Sequence, residues 1–257
     1  MDASISKKLF LRKETMNCIA MIPARYASTR FPGKLMQMLG NKTVIRHTYD
    51  NTVKTGLFDK VIVVTDSQII YDEINSNGGD VMMSHKNHES GSDRIAEAVE
   101  NLDVELVINV QGDEPFVQKA PLKKLLDIFK DDESKQIQVA SLMQIIKDKK
   151  NIEDPNFVKV AVDLRMNALF FSRNVIPFPR EPSLSITYYE HIGVYAFRKH
   201  ALMNFTHWPV TPLEAAEKIE CLRYLEHGIS LRMVLTEYMG VEIDTPEDLL
   251  LANKRLV

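Results

Sequence analysis

Residues 18–34 read CIAMIPARYASTRFPGK, an apolar run that ends in a loop carrying three cations and no acid. A buried strand that leads into a basic loop is well suited to hold a polyphosphate. Arg25, Arg30 and Lys34 can neutralise phosphate oxygens, while Ser28 and the backbone N–H groups near Gly33 can donate hydrogen bonds to them. The spacing matches neither a P-loop nor a glycine-rich Rossmann turn, so an ATPase or a dehydrogenase is not favoured.

Strand-like and helix-like patterns alternate outward from this loop. Apolar runs predict strands at residues 18–22, 61–65, 81–83 and 106–110, with helices between them. This order predicts an α/β fold with a mostly parallel central sheet and helices on both faces. Because ligands bind beyond the C-terminal strand ends of such sheets, the basic loop and the turn at residues 112–115 are expected at one edge.

The second half of the chain is less regular. Its pattern predicts strands at residues 138–145, 158–163, 169–171, 192–197 and 231–235, and a helix at residues 213–226. A closing helix at residues 245–255 has a strong start, because Thr245 can cap it and Pro246 and two acids follow in the first turn.

Composition limits the possible classes of protein. The 257 residues include 45% hydrophobic and 26% charged residues with a formal net charge of −3, which is typical of a globular protein and not of a general nucleic-acid binder. The two cysteines suggest no disulfide framework, and no apolar run has the length of a membrane span or a signal peptide. We therefore expect a cytoplasmic protein, with a loose extension at residues 1–16 and one domain at residues 17–257.

Two acids are candidate ligands for Mg²⁺, which favours one or two carboxylates together with phosphate oxygens. Asp113 follows a predicted buried strand in a Gly–Asp turn, where a solvent-facing role is an equally good interpretation of the pattern. Asp244 precedes the closing helix, so it is either a second metal ligand or the N-terminal cap of that helix.

Other polar groups are less specific in their chemistry. Ser90 and Ser92 are candidate helix caps, and Arg94 can pair with a phosphate or with an acid. A further set of polar residues in the irregular half could line a sugar site, namely Arg173, His191, Tyr195, Glu217 and Glu220.

Together these motifs resemble the 3-deoxy-manno-octulosonate cytidylyltransferase (CMP-Kdo synthetase) family, over nearly everything from Asn17 to the C-terminus. The resemblance is carried by IPARYASTRFPGK (22–34), HESGSDR (88–94), NVQGDEP (109–115), FFSR (170–173), HIGVYAFR (191–198) and DTPED (244–248). It implies a nucleotide-diphospho-sugar transferase fold and a homodimer. The nucleotide-binding half would cover about residues 17–130, and a smaller sugar-binding and dimerisation half would cover about residues 131–257.

The resemblance also implies an activity and a set of site residues. The activity is the conversion of CTP and Kdo to CMP-Kdo and diphosphate, which activates Kdo for lipopolysaccharide synthesis. The implied catalytic residues are Arg25, Lys34, Asp113 and Asp244, of which Asp113 and Asp244 hold Mg²⁺. CTP is expected at Ala24, Arg25, Ser28, Arg30, Lys34, Ser92, Asp93 and Arg94. The sugar is expected at Gln111, Arg173, His191, Tyr195, Glu217 and Glu220.

One departure from the family pattern concerns the sugar. Relatives commonly have Gln where this chain has Cys221, and a thiol cannot replace the paired donor and acceptor of an amide. Cys221 indicates either a substituted sugar, such as an amino-bearing Kdo, or a tolerated change behind the residues that contact the sugar, which is the interpretation we favour. The wider alternatives for the function are a cytidylyltransferase for a related acidic sugar, such as 8-amino-Kdo or a sialic acid, or a catalytically silent nucleotide-binding protein. A glycosyltransferase is less consistent with the sequence, because the Asp113 turn is not an Asp-x-Asp motif.

Overall fold

The computed structural model describes residues 16–27, 31–86, 88, 90–181, 183–237 and 242–256. Its strands are β1 (Cys18–Ala24), β2 (Met38–Leu39), β3 (Lys42–Thr43), β4 (Lys60–Thr65), β5 (Val81–Met83), β6 (Leu106–Asn109), β7 (Val139–Ile145), β8 (Lys159–Val162), β9 (Ala168–Ser172), β10 (Tyr189–Arg198) and β11 (Leu231–Leu235). Most of them form one large sheet with the strand order β11-β7-β10-β6-β1-β4-β5, from which β8 and β9 branch beside β10. Strands β2 and β3 form a separate small hairpin.

The helices connect these strands and cover the sheet. They are α1 (Val44–Lys54), α2 (Gln68–Ser76), α3 (Gly91–Val99), α4 (Lys119–Lys130), α5 (Lys149–Glu153), α6 (Lys199–His207), α7 (Pro212–Glu217), α8 (Leu222–Glu226) and α9 (Pro246–Arg255). None of the helices in the described part of the chain combines the length and the apolar character that a bilayer crossing requires.

The predicted mostly parallel α/β sheet is confirmed. Strand β1 pairs in parallel with β4 and β6, and β5 and β11 also join the sheet in parallel. Two strands are exceptions, since β10 runs antiparallel to β6, β7 and β8, and β9 runs antiparallel to β8. The sheet thus places the C-terminal ends of β1 and β6 side by side, with Met21 opposite Asn109.

Side chains alternate between two cores, one on each face of the sheet. Ala20 and Ile22 of β1 pack with residues of α1 and α4, whereas Ile19 and Met21 pack with residues of α3 and α6. This alternation follows from the two-residue repeat of a strand. It explains why the central strands read as continuous apolar runs, since both of their faces are buried.

The prediction of a single helix over residues 213–226 is wrong. It is divided into α7 and α8 because Lys218 adopts a left-handed conformation with φ 55°. Residues 218–221 therefore form a connection between two short helices. The break has a functional consequence, since it brings Lys218 and Glu220 into the wall of a cavity described below.

Candidate active site

The basic loop after β1 turns back sharply at Gly33. This residue has φ 64°, a conformation that side chains rarely adopt, and the Tyr26 ring lies 3.4 Å from where its Cβ would be. The turn starts a short 3₁₀ helix at Lys34. Ala24, Arg25 and Lys34 line a common cleft, whereas the predicted phosphate ligands Ser28 and Arg30 lie outside the described residues.

The turn after β6 packs tightly against the basic loop. A Cβ on Gly112 would lie 3.0 Å from the carbonyl oxygen of Pro23, so only glycine fits without a shift of the backbone. The carbonyl of Gly112 accepts a hydrogen bond from Thr48 Oγ1 at 2.8 Å. The next residue, Asp113, is thereby fixed at the C-terminal edge of the sheet.

The segment before α9 completes the site. The backbone N–H of Ile243 donates to the carbonyl oxygen of Asp113 at 3.0 Å, which ties the two acidic segments together. Thr245 caps α9, and Asp248 accepts from the backbone N–H groups of Asp244 and Thr245. The alternative role of Asp244 as the helix cap is therefore wrong, because the adjacent threonine has that role.

Lys34 bridges the two predicted metal ligands. Its Nζ lies 2.5 Å from Asp113 Oδ2 and 2.7 Å from Asp244 Oδ1. Burial alone lowers the pKa of Lys34, but the charge of Asp113 and the hydrogen bonds to both acids outweigh it, so the pKa lies above its ordinary value. Three predicted catalytic residues are thus in direct contact.

Two further acids surround this cluster, and the sequence prediction included neither. Carboxylate oxygens of Asp113, Glu242 and Asp244 lie within 4.8 Å of one another, a spacing that can hold a metal ion. Glu114 is buried behind them. Burial, followed by the charges of Glu242 and Asp113, raises the pKa of Glu114 to about 8, so it is mostly neutral at pH 7. Glu242 could have been found from the sequence, because it lies two residues before the predicted metal ligand Asp244.

A cleft of about 250 Å³ extends from the acids between the β1 loop and the start of α3. Ser90 caps α3, as its Oγ accepts from the N–H of Asp93, and Ser90 and Gly91 line the cleft. Arg94 also lines it, but its guanidinium is held by Asp66 at 2.7 Å and by Ser84. Of the two predicted partners for Arg94, the structure therefore shows an acid.

The predicted CTP ligands Ser92 and Asp93 are not in the wall of this cleft. The hydroxyl of Ser92 donates to Glu220. Asp93 instead lines a separate cavity of about 590 Å³ between α3 and α6. Among the described residues, that cavity shares His88 alone with the cleft, and it contains neither Asp113 nor Asp244.

A second chamber of about 390 Å³ adjoins the cleft and shares Gly91, Gln111 and Asp244 with it. Five of the six predicted sugar ligands line this chamber, namely Gln111, Arg173, His191, Tyr195 and Glu220. Glu217 does not line it. Its carboxylate accepts from Ser172 Oγ at 2.6 Å and from the N–H of Arg173 at 3.0 Å, so it supports the chamber wall.

His191 is fixed within the wall by aromatic packing and one hydrogen bond. Its ring lies 4.9 Å from that of Phe171 and 5.4 Å from that of Tyr195. Its Nε2 lies 3.0 Å from Ser141 Oγ, whose proton has backbone carbonyls of β10 as acceptors, so Nε2–H is the donor. Burial lowers the pKa of His191 to about 4, and the ring is neutral at pH 7.

Cys221 lies behind the chamber wall and is buried. Its thiol is hydrogen-bonded with the hydroxyl of Tyr195, and burial raises the pKa of both groups. Cys221 itself is not among the residues that line the chamber. The presence of Cys221 in place of the family's Gln therefore changes a residue that supports Tyr195, and not one that lines the chamber.

Comparison with known proteins agrees with this geometry. The profile of a family described as cytidylyltransferase matches residues 19–233. A relative from Flavobacterium johnsoniae named 3-deoxy-manno-octulosonate cytidylyltransferase is 60% identical over 234 residues, covering 91% of this chain and 96% of the relative. A protein of the same name from Christiangramia forsetii is 57% identical over 238 residues, covering 93% of this chain and 96% of the relative.

Solved structures agree as well. A CMP:2-keto-3-deoxy-manno-octonic acid synthetase complexed with CTP superposes with a TM-score of 0.88 at 34% identity, covering 93% of this chain and 98% of that one. A 4-diphosphocytidyl-2C-methyl-D-erythritol synthase from Anaerococcus prevotii has a TM-score of 0.61 at 19% identity, covering 94% of this chain and 98% of that one. The latter shows a shared fold alone.

Proposed function

The chain belongs to the cytidylyltransferase family, and on that premise we propose that it transfers the cytidylyl group of CTP to Kdo and releases diphosphate. The proposal is carried by one observation. A cleft lined by Arg25 and Lys34 meets a polar chamber at Gln111 and Asp244, beside a cluster of acids. Two substrates bound in these cavities would bring their reacting groups together at that junction, as group transfer requires.

We include Mg²⁺ in this proposal, held by Asp113 and Asp244 with Glu242 within reach. The donor set fits, because Mg²⁺ prefers a few carboxylates together with phosphate oxygens. Asp113 Oδ1 is also buried without a hydrogen-bond partner among the described residues, which leaves an acceptor for a cation. When bound, Mg²⁺ would neutralise phosphate charge and lower the pKa of the attacking hydroxyl.

The protein's own residues would position the triphosphate and balance its charge. Arg25 and Lys34 line the cleft and would bind phosphate oxygens, together with the predicted ligands Ser28 and Arg30. Lys34 would exchange part of its contact with the acids for the triphosphate and so stabilise the leaving diphosphate. Arg94, held by Asp66, would shape the base pocket near Ala24.

The chamber residues would orient the sugar so that its anomeric hydroxyl faces the α-phosphorus of CTP. Gln111 is well placed, because it lines both cavities and its amide donates to the Gly193 carbonyl at 3.2 Å. His191 and Glu220 offer further polar contacts, and Arg173 offers a positive charge to the sugar carboxylate. In this mechanism the anomeric oxygen attacks the α-phosphorus in line with the leaving group. The new P–O bond forms as the bond from the α-phosphorus to diphosphate breaks.

The function is tested by diphosphate release from CTP with Mg²⁺ and each of several sugars. We expect turnover with Kdo, and little with UTP or ATP in place of CTP. Preferential turnover of 8-amino-Kdo or a sialic acid would favour the related-sugar alternative. CTP binding without diphosphate release from any of these sugars would contradict the proposed enzyme and favour a silent nucleotide-binding protein.

The metal ligands are tested by Asp113→Asn, which removes a charge and keeps the shape of the side chain. We expect this variant to fold and its kcat at saturating Mg²⁺ to fall at least about 100-fold. A loss of this size is typical when a group that stabilises charge is removed from an active site. The matched control is Asp127→Asn on α4, whose partners are the exposed Lys123 and Lys130. Near wild-type turnover of Asp113→Asn would exclude Asp113 as a ligand.

The wider setting follows from the same proposal. A product such as CMP-Kdo would supply lipopolysaccharide synthesis, and we infer a cytoplasmic location. We also propose a homodimer. Several large apolar side chains in the second half are well exposed, namely Leu164, Leu169, Phe178 and Leu184, and a partner subunit would cover such residues.

A further inference from the structure

A short turn at residues 154–157 forms part of the rim of the sugar chamber. Asn156 of this turn is exposed and lines the chamber. Its backbone N–H donates to Asp154 Oδ1 at 2.8 Å, and the N–H of Phe157 donates to the Asp154 carbonyl at 3.2 Å. The first of these bonds uses the backbone N–H of Asn156, and its side-chain amide makes no hydrogen bond to another described residue.

Two cationic side chains hold the carbonyl groups of this turn. Lys159 Nζ donates to the carbonyl oxygen of Asp154 at 2.9 Å. Arg173 Nη1 donates to the next carbonyl oxygen, that of Pro155, also at 2.9 Å. Hydrogen bonds from charged donors are stronger than neutral ones. Two consecutive carbonyl groups held in this way fix the turn just before Asn156.

Lys159 is an unusual residue to find at this position. Its side chain is fully buried in β8, with 0% of its surface exposed, although a buried cation destabilises a fold unless it is well paired. It lies opposite Glu190 of β10 and Ser172 of β9 in the sheet register. The cation is therefore anchored in the rigid sheet between the turn and an acid that lines the chamber.

We propose that Asn156 binds hydroxyl groups of the sugar at the chamber rim, and that Lys159 is the positioning residue for its turn. The inference rests on the proposed function, since it assigns a residue to that sugar site. An asparagine amide offers two donors and an acceptor, which suits neighbouring hydroxyls of a polyhydroxylated substrate. Arg173 then both supports the turn and lines the chamber.

The first test compares the kinetics of Asn156→Ala with those of the wild type. We expect the KM for Kdo to rise roughly fivefold or more, as loss of one or two hydrogen bonds predicts, with the KM for CTP and kcat nearly unchanged. Asn101→Ala, an exposed asparagine outside both cavities, is the matched control. A Kdo KM of Asn156→Ala within twofold of wild type would overturn the proposal.

The second test is a double-mutant cycle with Lys159→Met, which keeps the length of the side chain and removes the charge. If Lys159 acts through Asn156, the double variant should show the same Kdo KM as Asn156→Ala alone. If the two single substitutions instead multiply in their effects on the Kdo KM of the double variant, the positioning role of Lys159 is overturned. Thermal unfolding of each variant checks folding, and Asn156→Ala decides the proposal even if Lys159→Met does not fold.

These outcomes remain separate from the test of the function itself. If the wild type releases no diphosphate with CTP and Kdo, the proposed function has failed before any variant is compared. If the wild type is active and Asn156→Ala retains its Kdo KM, the function stands and the role of Asn156 is excluded.

Discussion

His191 is held neutral by its surroundings, and this has a consequence for stability. Its folded pKa of about 4 lies below the ordinary value of 6.5. Between these two values the unfolded chain binds a proton that the folded protein does not. The contribution of neutral His191 to the free energy of unfolding is therefore fully present above pH 6.5. It decreases as the pH falls towards 4, and it decreases no further below that pH.

The prediction is tested with His191→Gln, whose amide can still donate to Ser141. Between pH 7 and pH 4.5 the free energy of unfolding of the wild type should fall by about 2 kcal/mol more than that of the variant. Denaturant unfolding at both pH values measures this difference. His200→Gln changes an exposed histidine and should follow the wild type. Equal pH dependence of wild type and His191→Gln would show that His191 titrates normally.

The positions of the candidate residues were predictable where a motif fixed them and unpredictable where packing fixed them. Lys34, Asp113 and Asp244 are in contact as the motifs suggested. Asp93 and Glu217 were predicted as ligands from the family resemblance, but Asp93 lines another cavity and Glu217 supports Arg173. Their side-chain directions depend on how α3 and α7 pack, which no local pattern encodes.

The turn after β6 is the element that places Asp113. It is held between Thr48 of α1 and the backbone of Pro23, and its close approach requires Gly112. The turn was predictable, because a Gly–Asp pair follows a buried strand. Its contact with the β1 loop was not, since it depends on β1 and β6 being neighbours in the sheet.

Gly112→Ala should therefore disturb both stability and the proposed metal site. The added Cβ would meet the Pro23 carbonyl at 3.0 Å and the Ile45 side chain at 3.2 Å. We expect the free energy of unfolding to fall by about 1–3 kcal/mol, a typical effect of overpacking, and the Mg²⁺ requirement to rise. Gly193→Ala is the control, because its nearest neighbour is 3.8 Å away. Unchanged stability of Gly112→Ala in denaturant unfolding would contradict this view of the turn.

The boundary between α7 and α8 shows a limit of prediction at this scale. Residues 213–226 contain no glycine or proline to signal an interruption. The break occurs at Lys218, a residue type that seldom adopts positive φ. Tertiary packing therefore decides where the break lies, because Ile219 in the connection and Leu222 at the start of α8 are buried in the same core.

At the scale of the whole molecule, the alternation of strands and helices predicted the α/β sheet. It did not reveal that β10 runs antiparallel and supplies both His191 and Tyr195 to the chamber. Apolar periodicity identifies a strand but carries no information about its direction. The subdivision into nucleotide and sugar halves stays a prediction.

The proposed homodimer gives a prediction at the same scale. Sedimentation velocity should give about twice the 29.4 kDa mass of one chain. Leu169→Lys puts a charge on a side chain that is 63% exposed on β9, and it should shift the protein towards the monomer because burying a lysine there is unfavourable. Leu250→Lys, at a leucine that is 65% exposed on α9, should leave the dimer intact. A monomeric wild type would exclude the homodimer.

The bridge from Lys34 to Asp113 and Asp244 has a consequence for the life of the protein in a cell. The two acids have a built-in counter-ion, so their mutual repulsion is already compensated when magnesium is scarce. If the proposed Mg²⁺ site is correct, starvation for the ion would silence the enzyme without unfolding it or exposing it to proteases. Activity would return as soon as magnesium did, with no need for new synthesis.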